Sequence, residues 1–179
     1  WQRSARNNAG RAIAAVNALR AFPDRAALMH AAADRLEECL RRGLQQRGAA
    51  CAALSGGTTP ELAYALLAQR ALDWSKVIFA LVDERFVPPS DPASNEGLLR
   101  RSLAPALVQG ARVLPMWRDN ATPLEAADAA DRTYAPLHID VALMGMGDDG
   151  HTASWFPGMT GLPAALDLDT PRHVIAVEA

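Results

Sequence analysis

The chain has 179 residues, of which 50% are hydrophobic and 21% charged, a composition that is typical of one globular domain and argues against a disordered or coiled-coil chain. A formal net charge of −2 provides no basic surface for phosphates, so we expect no nucleic-acid partner. Charged residues interrupt every hydrophobic run well before the roughly 20 residues of a membrane span, so we expect no membrane partner.

The N-terminal segment, residues 1–23, is of uncertain status. It contains four arginines and no acidic residue, which weakly resembles a transit peptide, but the sequence begins without Met and no targeting is predicted from it. Residues 24–179 are expected to form a single α/β domain.

The cysteines and histidines indicate the redox compartment and the metal content. Cys39 and Cys51 lie in apolar helical and strand patterns, which favours two free, buried thiols and therefore a cytoplasmic location. The four histidines are scattered without metal-ligand spacing, so no metal site is expected.

Strands and helices alternate along the chain. The predicted elements are a helix over 24–48, a strand over 49–54, a helix with Thr59 as N-cap and Pro60 at its first position, a strand over 76–82, a helix over 94–103, a strand over 112–116, a helix over 122–136, a strand over 139–144 and a last strand over 173–177. Uninterrupted apolar strands separated by helices predict a three-layer, Rossmann-like α/β fold, with a mostly parallel sheet covered on both faces. Ligands of such sheets bind where strands end.

The first such end carries a glycine-rich loop, Ser55-Gly56-Gly57-Thr58-Thr59-Pro60. Its small residues and bare backbone amides before a helix favour anion binding. A tight turn needs the same glycines, so the loop alone leaves both interpretations open.

The second strand ends at Asp83-Glu84-Arg85. These charges are typical of a solvated strand end, but an arginine there is also suited to a bidentate grip on phosphate. Ser94 and Asn95 are similarly interpreted first as a helix cap and second as ligand contacts.

The loop Gly145-Met146-Gly147-Asp148-Asp149-Gly150 matches the dinucleotide pattern G-x-G-x-x-G. We reject that interpretation because Asp148 and Asp149 would place carboxylates where a pyrophosphate lies, and Pro157 interrupts the helix that should follow.

His151 follows this loop beyond a strand end, where a core histidine is not expected. A general base is favoured over a surface histidine, because imidazole titrates near neutral pH and a nearby carboxylate can orient it. Ser55 and Ser154 lie in no G-x-S-x-G elbow, which argues against a serine nucleophile.

Three segments together resemble the sugar-phosphate lactonase family, the 6-phosphogluconolactonases, over residues from about 22 to the end. They are Ser55-Gly56-Gly57-Thr58-Thr59-Pro60, then Asp83-Glu84-Arg85-Phe86-Val87-Pro88 with Ser94-Asn95-Glu96, then residues 145–157, which read GMGDDGHTASWFP. Glucosamine-6-phosphate deaminases and sugar-phosphate-binding effector domains are related alternatives. Deaminases typically carry Tyr after the Asp-Glu pair and Asn-Glu-Pro near Trp155-Phe156-Pro157, so Arg85 and Trp155-Phe156 favour a lactonase.

The resemblance implies hydrolysis of 6-phospho-D-glucono-1,5-lactone in the pentose phosphate pathway, with a sugar-phosphate substrate and no cofactor. His151 would activate the attacking water, and either Asp149 or Asp83 would orient the imidazole. Backbone N–H groups of the 145–150 loop would stabilise the oxyanion. The expected substrate and phosphate contacts are Ser55, Gly56, Gly57, Thr58, Arg85, Ser94, Asn95 and Gly147.

The end of the chain departs from the family pattern. Family members usually continue with a further strand and helix that carry a basic phosphate contact, whereas this sequence stops at Ala179 and its only lysine is Lys76. Residues 24–179 are therefore expected to lack the usual C-terminal end of the domain. Either the basic contact lies beyond this sequence, or the phosphate site depends on Arg85 and backbone amides.

Overall fold

The computed structural model of the protein describes residues 19–178. Residues 1–18, which make up most of the uncertain N-terminal segment, lie outside the described residues. Among the helices of residues 19–178, none has both the length and the apolar composition needed to cross a membrane.

The described chain folds into helices and short strands. The helices are α1 (Arg25–Arg47), α2 (Glu61–Leu67), α3 (Asn95–Ser102), α4 (Ala104–Val108), α5 (Pro123–Tyr134) and α6 (Leu162–Ala165), and the strands are β1 (Ala50–Leu54), β2 (Val77–Leu81), β3 (Arg112–Val113) and β4 (Val141–Leu143). A single 3₁₀ turn, Trp74–Lys76, leads into β2.

Local capping sets both ends of α1 and the start of α5. The Asp24 carboxylate accepts the Ala27 N–H at the start of α1, and Gly48 ends that helix with φ 74°, a left-handed conformation that favours glycine. At the start of α5, Thr122 and Glu125 form a reciprocal capping box.

The four strands form one parallel sheet in the order β3-β2-β1-β4. Leu54, the last residue of β1, lies beside Leu81 of β2 and Leu143 of β4. The chain moves outward from β1 through β2 to β3 and then returns to the other side of β1. This reversal opens a crevice at the carboxyl ends of β1 and β4, the usual ligand position in open α/β sheets.

Helices cover both faces of the sheet, which confirms the predicted α/β fold. Alternate residues of β1, such as Ala52 and Leu54, pack in one buried cluster with side chains of α1, α2 and α3. The intervening Cys51 and Ala53 pack in a second cluster with α5, including Tyr134. Cys39 and Cys51 are both buried and free, as expected.

Four sequence predictions about element bounds are wrong. The N-cap of α2 is Pro60 rather than Thr59, and no side chain caps that helix. Strands 112–116 and 139–144 shorten to Arg112–Val113 and Val141–Leu143, because each pairs with its neighbour only over that length. Residues 173–177 form no strand, since the His173 and Val174 N–H groups donate to the Asp131 carboxylate of α5 instead of to a neighbouring strand.

Candidate active site

Three loops meet at the carboxyl edge of the sheet. The glycine loop, defined as Ser55–Pro60, leaves β1; the acidic-arginine segment, Asp83–Arg85, follows β2; and the histidine loop, residues 145–157, follows β4. The Ser55 N–H donates to the Leu143 carbonyl at 3.1 Å, which joins the first and third loops at their bases. The fold therefore brings all three sequence motifs to one crevice.

The glycine loop presents unpaired donors. Ser55 is buried, its carbonyl accepts the Tyr64 hydroxyl at 2.7 Å, and its Oγ has no hydrogen-bond partner among the described residues. The N–H groups of Gly56, Gly57 and Thr58 likewise have none within residues 19–178. Gly57 has φ 94°, a conformation that side-chain-bearing residues rarely adopt. The loop therefore offers several unpaired donors, which suit an anion.

Asn95 joins the glycine loop to Arg85. A Cβ atom on Gly56 would lie 1.7 Å from Asn95 Oδ1, so the bare backbone at residue 56 makes room for this side chain. The same Oδ1 accepts from the Arg85 guanidinium at 2.9 Å. Asn95 is only 2% exposed, and it places the guanidinium beside the glycine loop.

The Arg85 guanidinium keeps its charge available to a ligand. It is exposed and donates to two neutral oxygens, the Ala93 carbonyl at 2.7 Å and Asn95 Oδ1. Within the described part of the chain, no carboxylate pairs with it. A guanidinium oriented by neutral acceptors can bind phosphate without first breaking an ion pair.

Glu84 and Ser94 cap the N-terminus of α3. The Glu84 carboxylate accepts the backbone N–H groups of Asn95 and Glu96 at 2.7 and 2.8 Å, and the Ser94 hydroxyl at 3.0 Å. Ser94 is 2% exposed and accepts the Gly97 N–H, so both of its hydrogen-bonding roles are used in the cap. Sequence reasoning missed this role of Glu84, although an acidic residue facing a helix start is the expected signal.

His151 and Asp149 form a pair in the histidine loop. Nδ1 of His151 lies 2.6 Å from Asp149 Oδ1, and this hydrogen bond holds the pKa of the Asp149 carboxyl below its usual range. The ionised carboxylate can only accept, so Nδ1 carries the proton and the Nε2 lone pair is available to another group. The imidazole packs against the Phe156 ring, with centroids 4.5 Å apart. The pair therefore has the arrangement of an oriented general base.

Gly147 makes space for this pair. A Cβ atom there would lie 2.3 Å from the His151 ring and 2.8 Å from the Asp149 carboxylate. The Gly147 N–H donates to the His151 carbonyl, and the Gly150 N–H donates to the Gly147 carbonyl. Among the described residues, the N–H groups of Met146 and Asp148 have no such partner. Four amides of the 145–150 loop therefore have no partner in another described residue, those of Gly145 and Asp149 included.

Asp83, the second carboxylate considered for the imidazole, has different partners. Its Oδ2 accepts from the Ser154 hydroxyl at 2.8 Å, and its carbonyl accepts from Asn95 Nδ2 at 2.9 Å. The carboxylate bonded to His151 in this structure is that of Asp149. Sequence reasoning missed the contact to Ser154, which lies 71 positions away along the chain.

A cavity of about 660 Å³ opens beside the site. Asp83 and Arg85 line it from the strand end, and Trp155 and Phe156 line it from the histidine loop. The rest of its wall is largely apolar and follows the sheet face under α5, while His151 and the glycine loop lie outside it. Residues 19–178 contain no group of three or more His, Cys, Asp or Glu side chains placed to hold a metal ion.

Comparisons with known proteins give consistent results. Residues 23–179 match the family model described as glucosamine-6-phosphate isomerases/6-phosphogluconolactonase. A 6-phosphogluconolactonase of Mesorhizobium japonicum is 44% identical over 89% of this chain and 68% of its own length, and one of Rhizobium meliloti is 45% identical over 88% and 69%. The crystal structure of a 6-phosphogluconolactonase from Shewanella baltica has a TM-score of 0.78 at 34% identity, over 83% of this chain and 65% of that one. The chain thus spans about two thirds of the length of these proteins.

Proposed function

We propose that this chain, which belongs to the family of glucosamine-6-phosphate isomerases and 6-phosphogluconolactonases, hydrolyses 6-phospho-D-glucono-1,5-lactone to 6-phosphogluconate. The observation that carries the proposal is the His151–Asp149 pair, whose Nε2 is available beside a loop of unpaired amide donors. The similar proteins bear the lactonase name, which supports the lactonase rather than the deaminase reaction.

The substrate phosphate binds at the glycine loop and Arg85. The amides of Gly56, Gly57 and Thr58, with the buried Ser55 hydroxyl, supply neutral donors, and the guanidinium supplies charge. In a protein of net charge −2 the phosphate needs such local donors. Binding energy from this remote group then holds the lactone carbonyl in place for reaction.

His151 transfers the protons of the reaction. Its Nε2 removes a proton from water as the water oxygen bonds to C1 of the lactone, and Asp149 stabilises the resulting imidazolium. Unpaired backbone N–H groups of the 145–150 loop donate to the oxyanion that forms. As the bond between C1 and the ring oxygen breaks, His151 returns its proton to that oxygen, and the product acid ionises and releases one proton to solvent.

The pathway and the cofactor requirement are inferred from the proposed reaction, and the location is inferred from the cysteines. The reaction is a step of the pentose phosphate pathway and uses water with protein groups alone, so no organic cofactor or metal takes part. The free, buried thiols Cys39 and Cys51 suit a reducing compartment, and we infer a cytoplasmic enzyme.

Acid release from freshly prepared lactone tests the activity. The full chain should accelerate acidification above the spontaneous rate, and the acceleration should persist in EDTA. His151→Asn should lower kcat by about 10²–10⁴-fold with little change in KM, because it removes the base and leaves phosphate binding intact. The control His138→Asn alters an exposed histidine that precedes β4, at the opposite edge of the sheet. Ammonia release from glucosamine 6-phosphate, or turnover by His151→Asn at the rate of the control, would contradict the proposal.

A further inference from the structure

One hydrogen bond ties the histidine loop to the segment that carries Arg85. The Ser154 hydroxyl donates to Asp83 Oδ2 at 2.8 Å. Every other hydrogen bond that the described structure gives to residues 146–160 joins them to one another or to adjacent residues. The polar connection of this loop to the β2 end therefore depends on Ser154.

The turn that presents Ser154 is strained. Trp155 N–H donates to the Thr152 carbonyl at 3.0 Å and closes a turn immediately after His151. Ala153 within it has φ 51°, an unfavourable conformation for a residue with a side chain. Such strain persists only where surrounding contacts hold the backbone, and functional sites are where it concentrates. The Ser154–Asp83 hydrogen bond is such a contact.

Asp83 continues the connection to the phosphate-binding side. The Asn95 amide donates to the Asp83 carbonyl at 2.9 Å and accepts from Arg85 through its Oδ1. A path of direct hydrogen bonds thus runs from Ser154 through Asp83 and Asn95 to the guanidinium. Its two ends lie on the loop that holds the base and on the residue that faces the phosphate.

We propose that Ser154 and Asp83 are positioning residues that hold His151 at a set distance from Arg85, so that a substrate anchored by its phosphate presents C1 to the base. This rests on the proposed lactonase function. Asp83 acts through Ser154 and Asn95, and none of its hydrogen bonds within residues 19–178 reaches the imidazole. Loss of the connection lets the loop shift while the phosphate site stays formed.

Removal of the hydroxyl tests the proposal. In Ser154→Ala, kcat should fall by about 10–100-fold while KM changes by less than about threefold, because a displacement of about 1 Å at a reacting group has an effect of this size. Ser154→Thr keeps the hydroxyl and should restore most of kcat. The matched control is Ser75→Ala, since the Ser75 hydroxyl also donates to a carboxylate, that of Asp73 at 2.6 Å, but at the start of β2. Near-UV circular dichroism measures the folded fraction of each variant, and kcat is calculated per folded molecule.

A double-mutant cycle separates positioning from direct action. If Asp83 works through Ser154, adding Ser154→Ala to Asp83→Ala should lower kcat no further. The proposal is overturned if Ser154→Ala has the kcat of wild type or if Ser154→Thr fails to restore kcat. It is also overturned if the reductions in kcat caused by Ser154→Ala and Asp83→Ala multiply in the double variant.

A measurement that does not depend on turnover can test the positioning of His151 separately from the lactonase function. If the wild-type chain does not hydrolyse the lactone, the function fails, and the positioning is then judged on the His151 ring proton signals in NMR spectra. Those signals should shift or broaden in Ser154→Ala and match wild type in Ser75→Ala. Unchanged signals in Ser154→Ala would overturn the positioning itself.

Discussion

Replacement of Gly147 by alanine should displace the His151 imidazole while the fold survives. The added Cβ would lie 2.3 Å from Cε1 and Nδ1 of the ring, whereas ordinary contacts of this kind begin at 3.4 Å, so the ring must retreat by about 1.1 Å. The backbone at residue 147 is not in the positive-φ region, so alanine adds no strain of its own there. The displaced atom Nδ1 is the one that bonds to Asp149, so the proposed general base loses both its position and its orientation.

The displacement of the imidazole sets the expected decrease in kcat. A reacting group misplaced by about 1 Å lowers the rate by about 10²-fold, so kcat for lactone hydrolysis should fall by about that factor while KM stays nearly constant. The melting temperature should change by less than about 3 °C, because the substitution lies in a loop outside the two main clusters. Stopped-flow acidification with fresh lactone and thermal denaturation measure the two quantities.

Gly145→Ala is the matched control. It makes the same change two residues earlier in the same loop, where a Cβ meets no atom within 4 Å and φ is not positive. Its kcat and melting temperature should equal those of wild type. Wild-type kcat in Gly147→Ala, or an equal loss of activity in Gly145→Ala and Gly147→Ala, would contradict this prediction.

Three further predictions concern phosphate binding and stability. Arg85→Ala should raise KM by about tenfold or more and weaken competition by inorganic phosphate, because a charged hydrogen bond contributes about 1.5–3 kcal/mol; an unchanged KM would contradict the assigned contact. Gly56→Ala should raise KM and lower stability by about 1–3 kcal/mol, since its Cβ would lie 1.7 Å from Asn95 Oδ1, and kinetics with urea denaturation check both effects. Burial raises the pKa of the Cys51 thiol from 9.0 to about 11, so the folded state keeps a proton that the unfolded chain loses. The free energy of unfolding should therefore decrease as pH rises from 9.0 to about 11, and Cys51→Ala should lessen that decrease in urea titrations; equal pH dependence in the two proteins would contradict the assignment.

Much of the site could be predicted from the sequence because its parts are local. The glycine loop, the acidic-arginine segment and the histidine loop each lie directly after an apolar run, and parallel strands place their carboxyl ends at one edge. The comparisons confirm the family resemblance that these segments carry. Asp149 and His151 are only two residues apart, so short loop geometry is enough to bring them together.

The partners of Asp83 could not be predicted in this way. Its charge and its place after β2 were equally compatible with the imidazole, and only the folded chain brings Ser154 to its carboxylate. The close contact between Gly56 and Asn95 is equally invisible in the sequence, because the two residues come from different strand-helix units. The spare donors of the histidine loop also depend on which amides its own turns use.

The bounds of the helices and strands likewise depend either on local contacts or on residues far apart in the sequence. Both ends of α1 and the start of α5 could be predicted from Asp24, Gly48 and the Thr122–Glu125 box, because these hydrogen bonds reach only three or four residues along the chain. The lengths of β3 and β4 and the path of residues 173–177 depend on partners far along the chain. Strand pairs and side-chain contacts between residues so far apart in sequence form only when the sheet assembles, so the local sequence pattern cannot predict these lengths or this path.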